Sequence, residues 1–217
     1  MIRRTVLLAL LLAAHSAAAA EGQAIAAKIG MLGIGVEYSY GLTKRLAVRA
    51  GLNGSQAGFS ATKSGIDYAF NAVWSSVAVG VDFHPLKGPL RVSAGLLHNG
   101  DKLEARSRAA SNITVGGNNY TSAQVGTLQG DVTFRSMAPY VSVGWDWSRK
   151  RRRHFGMSFD VGVLSEGTPR VKLTADGSLV GDPTFAQDLA TEQQQLQASL
   201  SNFDTLPFAT LGFVFRF

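Results

Sequence analysis

The chain has 217 residues, 46% hydrophobic and 17% charged, with 24 Gly, 6 Pro and no Cys. That is enough for one domain of ordinary size, and it is too apolar for a disordered chain. It leaves no disulfide framework, Cys-based zinc site or Cys nucleophile. The formal charge is +6, of which Arg3 and Arg4 fall in a segment expected to be removed, leaving an excess of about +4.

Arg3 and Arg4 precede the apolar run Val6 to Ala14, and His15, Ser16 and the alanines Ala17 to Ala20 follow. A basic start, a short apolar core and an Ala-x-Ala ending predict a secretory signal peptide over residues 1–20. The run is too short for a membrane helix, which needs about 20 residues. Residues 21–217 then form one domain, and no later stretch approaches that length. Such a chain crosses a membrane only as a closed β-barrel.

The dominant pattern beyond residue 20 has period two. Eight strands are predicted in chain order. They are Ala24 to Ile29, Gly33 to Tyr40, Arg45 to about Ala57, Tyr68 to Phe83, Leu90 to about Arg106, Gln129 to Trp147, His154 to about Thr174, and about Leu206 to Phe217. A tight turn near Gly30 and Gly33 joins the first two. In each strand one face is apolar, as in Val77, Val79, Val81 and Phe83. The other face is Gly, Ala or Ser with isolated charges, as in Ser76, Ala78, Gly80 and Asp82. Small residues and few charges suit a narrow lumen, and the apolar face then meets lipid.

The connections alternate in length. Gly41 to Lys44, His84 to Pro89 and Ser148 to Arg153 are short; Ser55 to Asp67, His98 to Leu128 and Ala175 to Asp204 are long. Short periplasmic turns and long external loops are the expected asymmetry of an outer-membrane barrel. Tyr38, Tyr40, Phe83, Trp145, Trp147, Phe155, Phe215 and Phe217 gather near the short turns, as in an interfacial aromatic girdle. The stretch Phe185 to Phe203 is predicted as an external helix, capped by Asp182 or Thr184, with Leu189, Leu196, Leu200 and Phe203 on its apolar stripe. Asp188 and Glu192 suit its N-terminal end.

By parity Glu37, Arg49, Asp82, Arg91, Asp146, Asp160 and Arg216 point into the lumen. Charges there should pair, because a lone buried charge is costly. A salt-bridge plug near the periplasmic mouth follows, with a solute-selecting gate as its functional reading. The run Arg149 to Arg153 reads as a solvated turn of an exported barrel, so no nucleic-acid partner is expected. The histidines His84, His98 and His154 are scattered, and no nucleophile lies beside a base. No enzyme activity, metal site or cofactor is expected.

The ending Phe213-Val214-Phe215-Arg216-Phe217 resembles the C-terminal signature by which bacterial outer-membrane barrels meet the barrel assembly machinery, with Phe213, Phe215 and Phe217 carrying the likeness. Gly117-Asn118-Asn119-Tyr120, Ala138-Pro139-Tyr140-Val141-Ser142-Val143-Gly144-Trp145 and Gly167-Thr168-Pro169-Arg170-Val171-Lys172-Leu173 resemble segments of CarO-type barrels. Phe155-Gly156, Asp160-Val161-Gly162, the spacing of Gly30, Gly33 and Gly35, and the Glu/Gln-rich stretch before the last strand are similar as well. OmpW-like barrels are a looser likeness. The resemblance implies an all-β, eight-stranded antiparallel transmembrane barrel in outer-membrane lipid, and uptake of small solutes such as basic amino acids. External acids at Asp101, Glu104, Asp131, Asp176, Asp182, Asp188 and Glu192 would draw cations, diluted by Lys102, Arg106, Arg108, Arg170 and Lys172. A non-conducting barrel acting through its loops, in adhesion or envelope integrity, is the alternative.

Overall fold

The computed structural model describes residues 22–217 except 64–65, 87, 109–111, 150–153 and 202–203. The expected signal segment, most of the basic run after Arg149, and Phe203 lie outside the described residues. Among the described residues thirteen strands follow one another: β1 (Gln23–Gly30), β2 (Gly33–Gly41), β3 (Leu46–Lys63), β4 (Ile66–Phe83), β5 (Leu90–Asn99), β6 (Lys102–Arg108), β7 (Asn112–Val115), β8 (Asn118–Thr121), β9 (Gln129–Thr133), β10 (Met137–Asp146), β11 (Phe155–Ser165), β12 (Arg170–Thr174) and β13 (Thr205–Arg216). A single helical turn α1 (Ser122–Val125) follows β8, and the longer helix α2 (Pro183–Ser199) precedes β13.

Eight strands close into an antiparallel barrel in the order β1, β2, β3, β4, β5, β10, β11, β13, with β13 pairing back onto β1. The period-two pattern decides the faces. The outward residues are large and apolar, and they are exposed in the isolated chain: Val79 at 52%, Val141 at 54%, Met157 at 54% and Phe213 at 59%. The inward residues are mostly small or charged, joined towards the upper rim by the larger Leu97, Tyr140, Leu164 and Phe208, and these are buried. A water-soluble sandwich packs the opposite way, so the exposed apolar belt calls for lipid. The ten residue steps from Trp147 to Met137, at about 3.4 Å each and tilted about 45°, cover about 24 Å, close to the apolar band of about 25 Å of such barrels.

The lower rim carries the short turns, and the upper rim rises unevenly. Between β1 and β2 it is only the two-residue turn Met31-Leu32, closed by the Gly30–Gly33 pair with Gly33 at φ +93°. Between β3 and β4 the expected loop Ser55 to Asp67 is instead a continuation of the ladder up to the Lys63–Ile66 pair, because the alternation runs on without a break. The fifth, sixth and seventh expected strands each divide near the rim. At Gly100 the Asp101 carboxylate takes the Ser75 amide at 2.7 Å. At Gly167, with φ +66°, the inward face changes from even residues (Leu164, Glu166) to odd ones (Val171, Leu173). The upper pieces β6, β9 and β12 extend from the top of β4 as a wall above the belt.

Helix α2 starts where the sequence places its cap. The Asp182 carboxylate accepts from the Thr184 and Phe185 amides at 2.8 and 3.0 Å. Its packed stripe differs from the expected one. Phe185 is 2% exposed and Leu189 partly buried, whereas Leu196 is 38% exposed. The stripe runs Phe185, Leu189, Gln193, Gln197, every fourth residue. Gln193 and Gln197 accept from the Leu173 and Val171 amides, each at 3.0 Å, and so cover the free edge of β12.

Candidate functional site

The lumen concentrates buried charge. Lys28 on β1, Glu37 on β2, Arg49 on β3, Asp82 on β4, Arg91 on β5 and Asp160 on β11 form one network. Arg91 grips Asp160 through three hydrogen bonds of 2.7, 2.9 and 3.1 Å. Lys28 bridges Glu37 at 2.9 Å and Asp160 at 3.1 Å. Arg49 reaches Asp82 at 3.1 Å, Glu37 at 3.4 Å and Asp160 at 3.7 Å, and Arg91 stands 3.8 Å from Asp82. Three acids meet three bases, so the network is neutral.

Glycine makes the room. Lys28 lies between Gly35 and Gly212, Glu37 opposite Gly51, Arg49 opposite Gly80, and Arg91 and Asp160 flank Gly144. A Cβ on Gly144 would overlap the Asp160 carboxylate and press on the Arg91 guanidinium. The Gly on the inward face is thus the complement of the long charges beside it.

Asp146 and Arg216 stand apart from this network. They pair at 2.7 Å at the lower mouth, where Ser148 also holds both. The expected single plug at the mouth is therefore two groupings. Asp82 and Arg91 pair with the mid-barrel charges: Arg91 and Asp160 share the Gly144 row, and Asp82 is the next inward residue after Gly80, the partner of Arg49. Sequence reading missed Lys28. The signal was present: Ala24 and Ala26 set the inward parity of β1, and Lys28 continues it.

Above the charges lies an apolar layer. Leu97, Ala138, Tyr140, Leu164 and Phe208 are buried inside the barrel, with Leu32, Ala78 and Leu206 against them. Tyr140 and Phe208 meet edge to face at 6.2 Å. Between the layers is a cavity of about 40 Å³, lined by Lys28, Glu37, Arg49 and Asp160 on one side and Leu97, Tyr140, Leu164 and Phe208 on the other. At roughly 10–15 Å³ per water, that is room for a few waters.

The upper rim has its own small core. Ile113, Val115, Val125 and Phe185 are buried together, with Tyr120, Leu128, Ala175, Leu179 and Leu189 packed on them. Asp188 accepts from Asn118 at 2.7 Å and from the Tyr120 hydroxyl, and Glu192 accepts from the Gly116 amide at 3.1 Å. Donation to that carboxylate pushes the Tyr120 hydroxyl up to about 12. Burial, with Asp101 nearby, likewise raises the Glu166 carboxyl, which takes the Asn99 amide at 2.9 Å. Of the seven acids expected to draw cations, Asp101, Asp176, Asp182, Asp188 and Glu192 are thus engaged by amides or hydroxyls of the fold itself. No group of three metal-ligating side chains occurs among the described residues.

No protein-family model matches the sequence, and no curated protein matches it. Solved structures do. The crystal structure of Acinetobacter baumannii CarO2 aligns at TM-score 0.63 and 18% identity, over 91% of this chain and 99% of that one. Acinetobacter baumannii CarO aligns at TM-score 0.58 and 20% identity, over 89% and 97%. The chain has the CarO fold. At such identity the likeness is one of architecture, so the roles of the charges in this CarO-like barrel rest on the geometry above.

Proposed function

We propose that the protein is a closed outer-membrane barrel that works through its folded external rim rather than as an open conduit. The observation that carries this reading is the pair of buried layers inside the barrel, the neutral ion-pair network and the apolar residues above it. Conduction would require both layers to move. The rim acids brace the fold through amides and hydroxyls, and the self-contained rim core favours a binding surface such as adhesion or envelope integrity would use. The exposed apolar belt, the expected signal segment and the C-terminal Phe213, Phe215 and Phe217 support an outer-membrane setting, reached through the barrel assembly machinery. On this reading the lower rim faces the periplasm.

Liposome swelling with purified protein tests the reading. Swelling in arginine, lysine and neutral amino acids at the rate of protein-free vesicles is the expected result. Solute-dependent swelling would overturn it and restore uptake of small, cationic solutes.

A further inference from the structure

The outer wall of the upper rim differs from the rest of the circumference. Following the outward face up β10, the apolar series ends at Met137, and Arg135 comes next, about 5 Å higher along the membrane normal. On β5 and β6 the series ends at Leu96, and Lys102 lies about 15 Å higher. Arg170 and then Lys172 face outward on β12. These heights fall in the polar layer of the surrounding leaflet. In the same register on β4 and β3 the outward residues are Val73 and Gln56, then Asn71 and Gly58, none of them charged.

The cations here are also free in a way the lumen cations are not. Every lumen base has a carboxylate within 4 Å, whereas Lys102, Arg135, Arg170 and Lys172 have none among the described residues. The acids of this wall, Glu104 and Asp131, begin one register step above the Lys102–Thr133–Arg170 row, so the row nearest the belt is purely cationic. Small Thr133 stands between Lys102 and Arg170, which are two strand spacings, about 10 Å, apart. This row forms the lower part of a shallow cleft of about 610 Å³, whose upper part is lined by Glu104, Asp131 and Lys172. The Arg135 stem lies beside Gly167.

We propose that this cleft binds the phosphate groups of a phosphorylated lipid headgroup in the leaflet that surrounds the upper rim. Guanidinium and ammonium groups held just above an apolar belt give such a lipid both of its contacts: acyl chains lie along Val141, Met137 and Leu96, and phosphate oxygens take hydrogen bonds from Lys102 and Arg170 of the cleft, with Arg135 adding positive charge below it. The site rests on the membrane orientation of the previous section and is independent of whether the lumen conducts.

The test is native mass spectrometry of the full folded chain in detergent with diphosphorylated lipid A, its dephosphorylated form and inorganic phosphate. The wild type is expected to retain the diphosphorylated lipid and to lose affinity by about ten-fold or more when the phosphates are removed, without any variant being needed. The double substitution Lys102→Gln/Arg170→Gln removes two cations, each contributing about five-fold, and should weaken binding about 25-fold. The equally charged change Lys44→Gln/Arg45→Gln at the opposite rim should leave it unaltered. Equal binding of both lipid forms, or equal losses in the two doubles, would overturn the site. Displacement of the lipid by a large excess of inorganic phosphate would overturn the lipid as its source. Faster gel migration of the unboiled protein confirms that each variant is folded. Lumen closure is read separately by liposome swelling, so the two proposals fail independently.

Discussion

Replacing Asp160 with Asn tests the energetics of the lumen. Asp160 is the hub of the network, meeting Arg91, Lys28 and Arg49, with its side chain 2% exposed. Asn keeps the volume and removes the charge, leaving three buried bases against Glu37 and Asp82. Breaking a buried pair from one side costs about 3–5 kcal/mol, because the remaining charge is neither paired nor hydrated. With a urea slope of about 2 kcal/mol/M, the unfolding midpoint should fall by about 2 M. Equilibrium unfolding of protein refolded into bilayers, read by the fluorescence of Trp74, Trp145 and Trp147, measures it. Adding Lys28→Met restores neutrality and should recover about 1 kcal/mol or more of the loss. A loss below about 1 kcal/mol for Asp160→Asn, the range of solvated surface pairs, would refute a dry, coupled network.

Gly144→Ala should destabilise by about 1–3 kcal/mol in the same assay, since its Cβ forces Arg91 and Asp160 apart; a neutral effect would mean the network has slack. Gln193→Leu/Gln197→Leu removes the acceptors for the Leu173 and Val171 amides, so hydrogen exchange of these two amides should accelerate while those of β10 and β11 stay protected. His84, beyond the lower end of β4, is 4% exposed with Nδ1 unpartnered, and burial, aided by Arg149, holds it at about 4 instead of 6.5. The folded state keeps the imidazole neutral while the unfolded chain takes up the proton below 6.5. Stability should therefore fall as the pH drops from 6.5 towards 4 and level off below, and His84→Gln should remove that slope.

The barrel was legible because the pleat writes itself into the sequence with period two, and lipid outside demands an apolar face that is continuous from strand to strand. Parity alone aims Asp82, Arg91 and Asp160 inward. Which charges meet depends on register between strands distant in the chain, such as Asp160 with Arg91, and single-strand patterns carry no register. Lys28 lay on a short first strand whose inward alanines resemble any small-residue run. Helix α2 was legible in its cap, since Asp182 acts on amides two and three residues away. Its packed face was not, because Gln193 and Gln197 face the edge of β12 to satisfy amides rather than to bury apolar area. The rim breaks near Gly100 and Gly167 rest on one side chain, Asp101, and one left-handed glycine, neither of which interrupts the alternation strongly.

Single-channel recording in planar bilayers tests the closed lumen most directly. The wild type should be silent, Arg91→Ala should remain silent because the layer of Leu97, Tyr140 and Phe208 still seals the barrel, and steps should appear only when Tyr140→Ala and Phe208→Ala are added. Stable conductance steps from the wild-type protein would contradict the account.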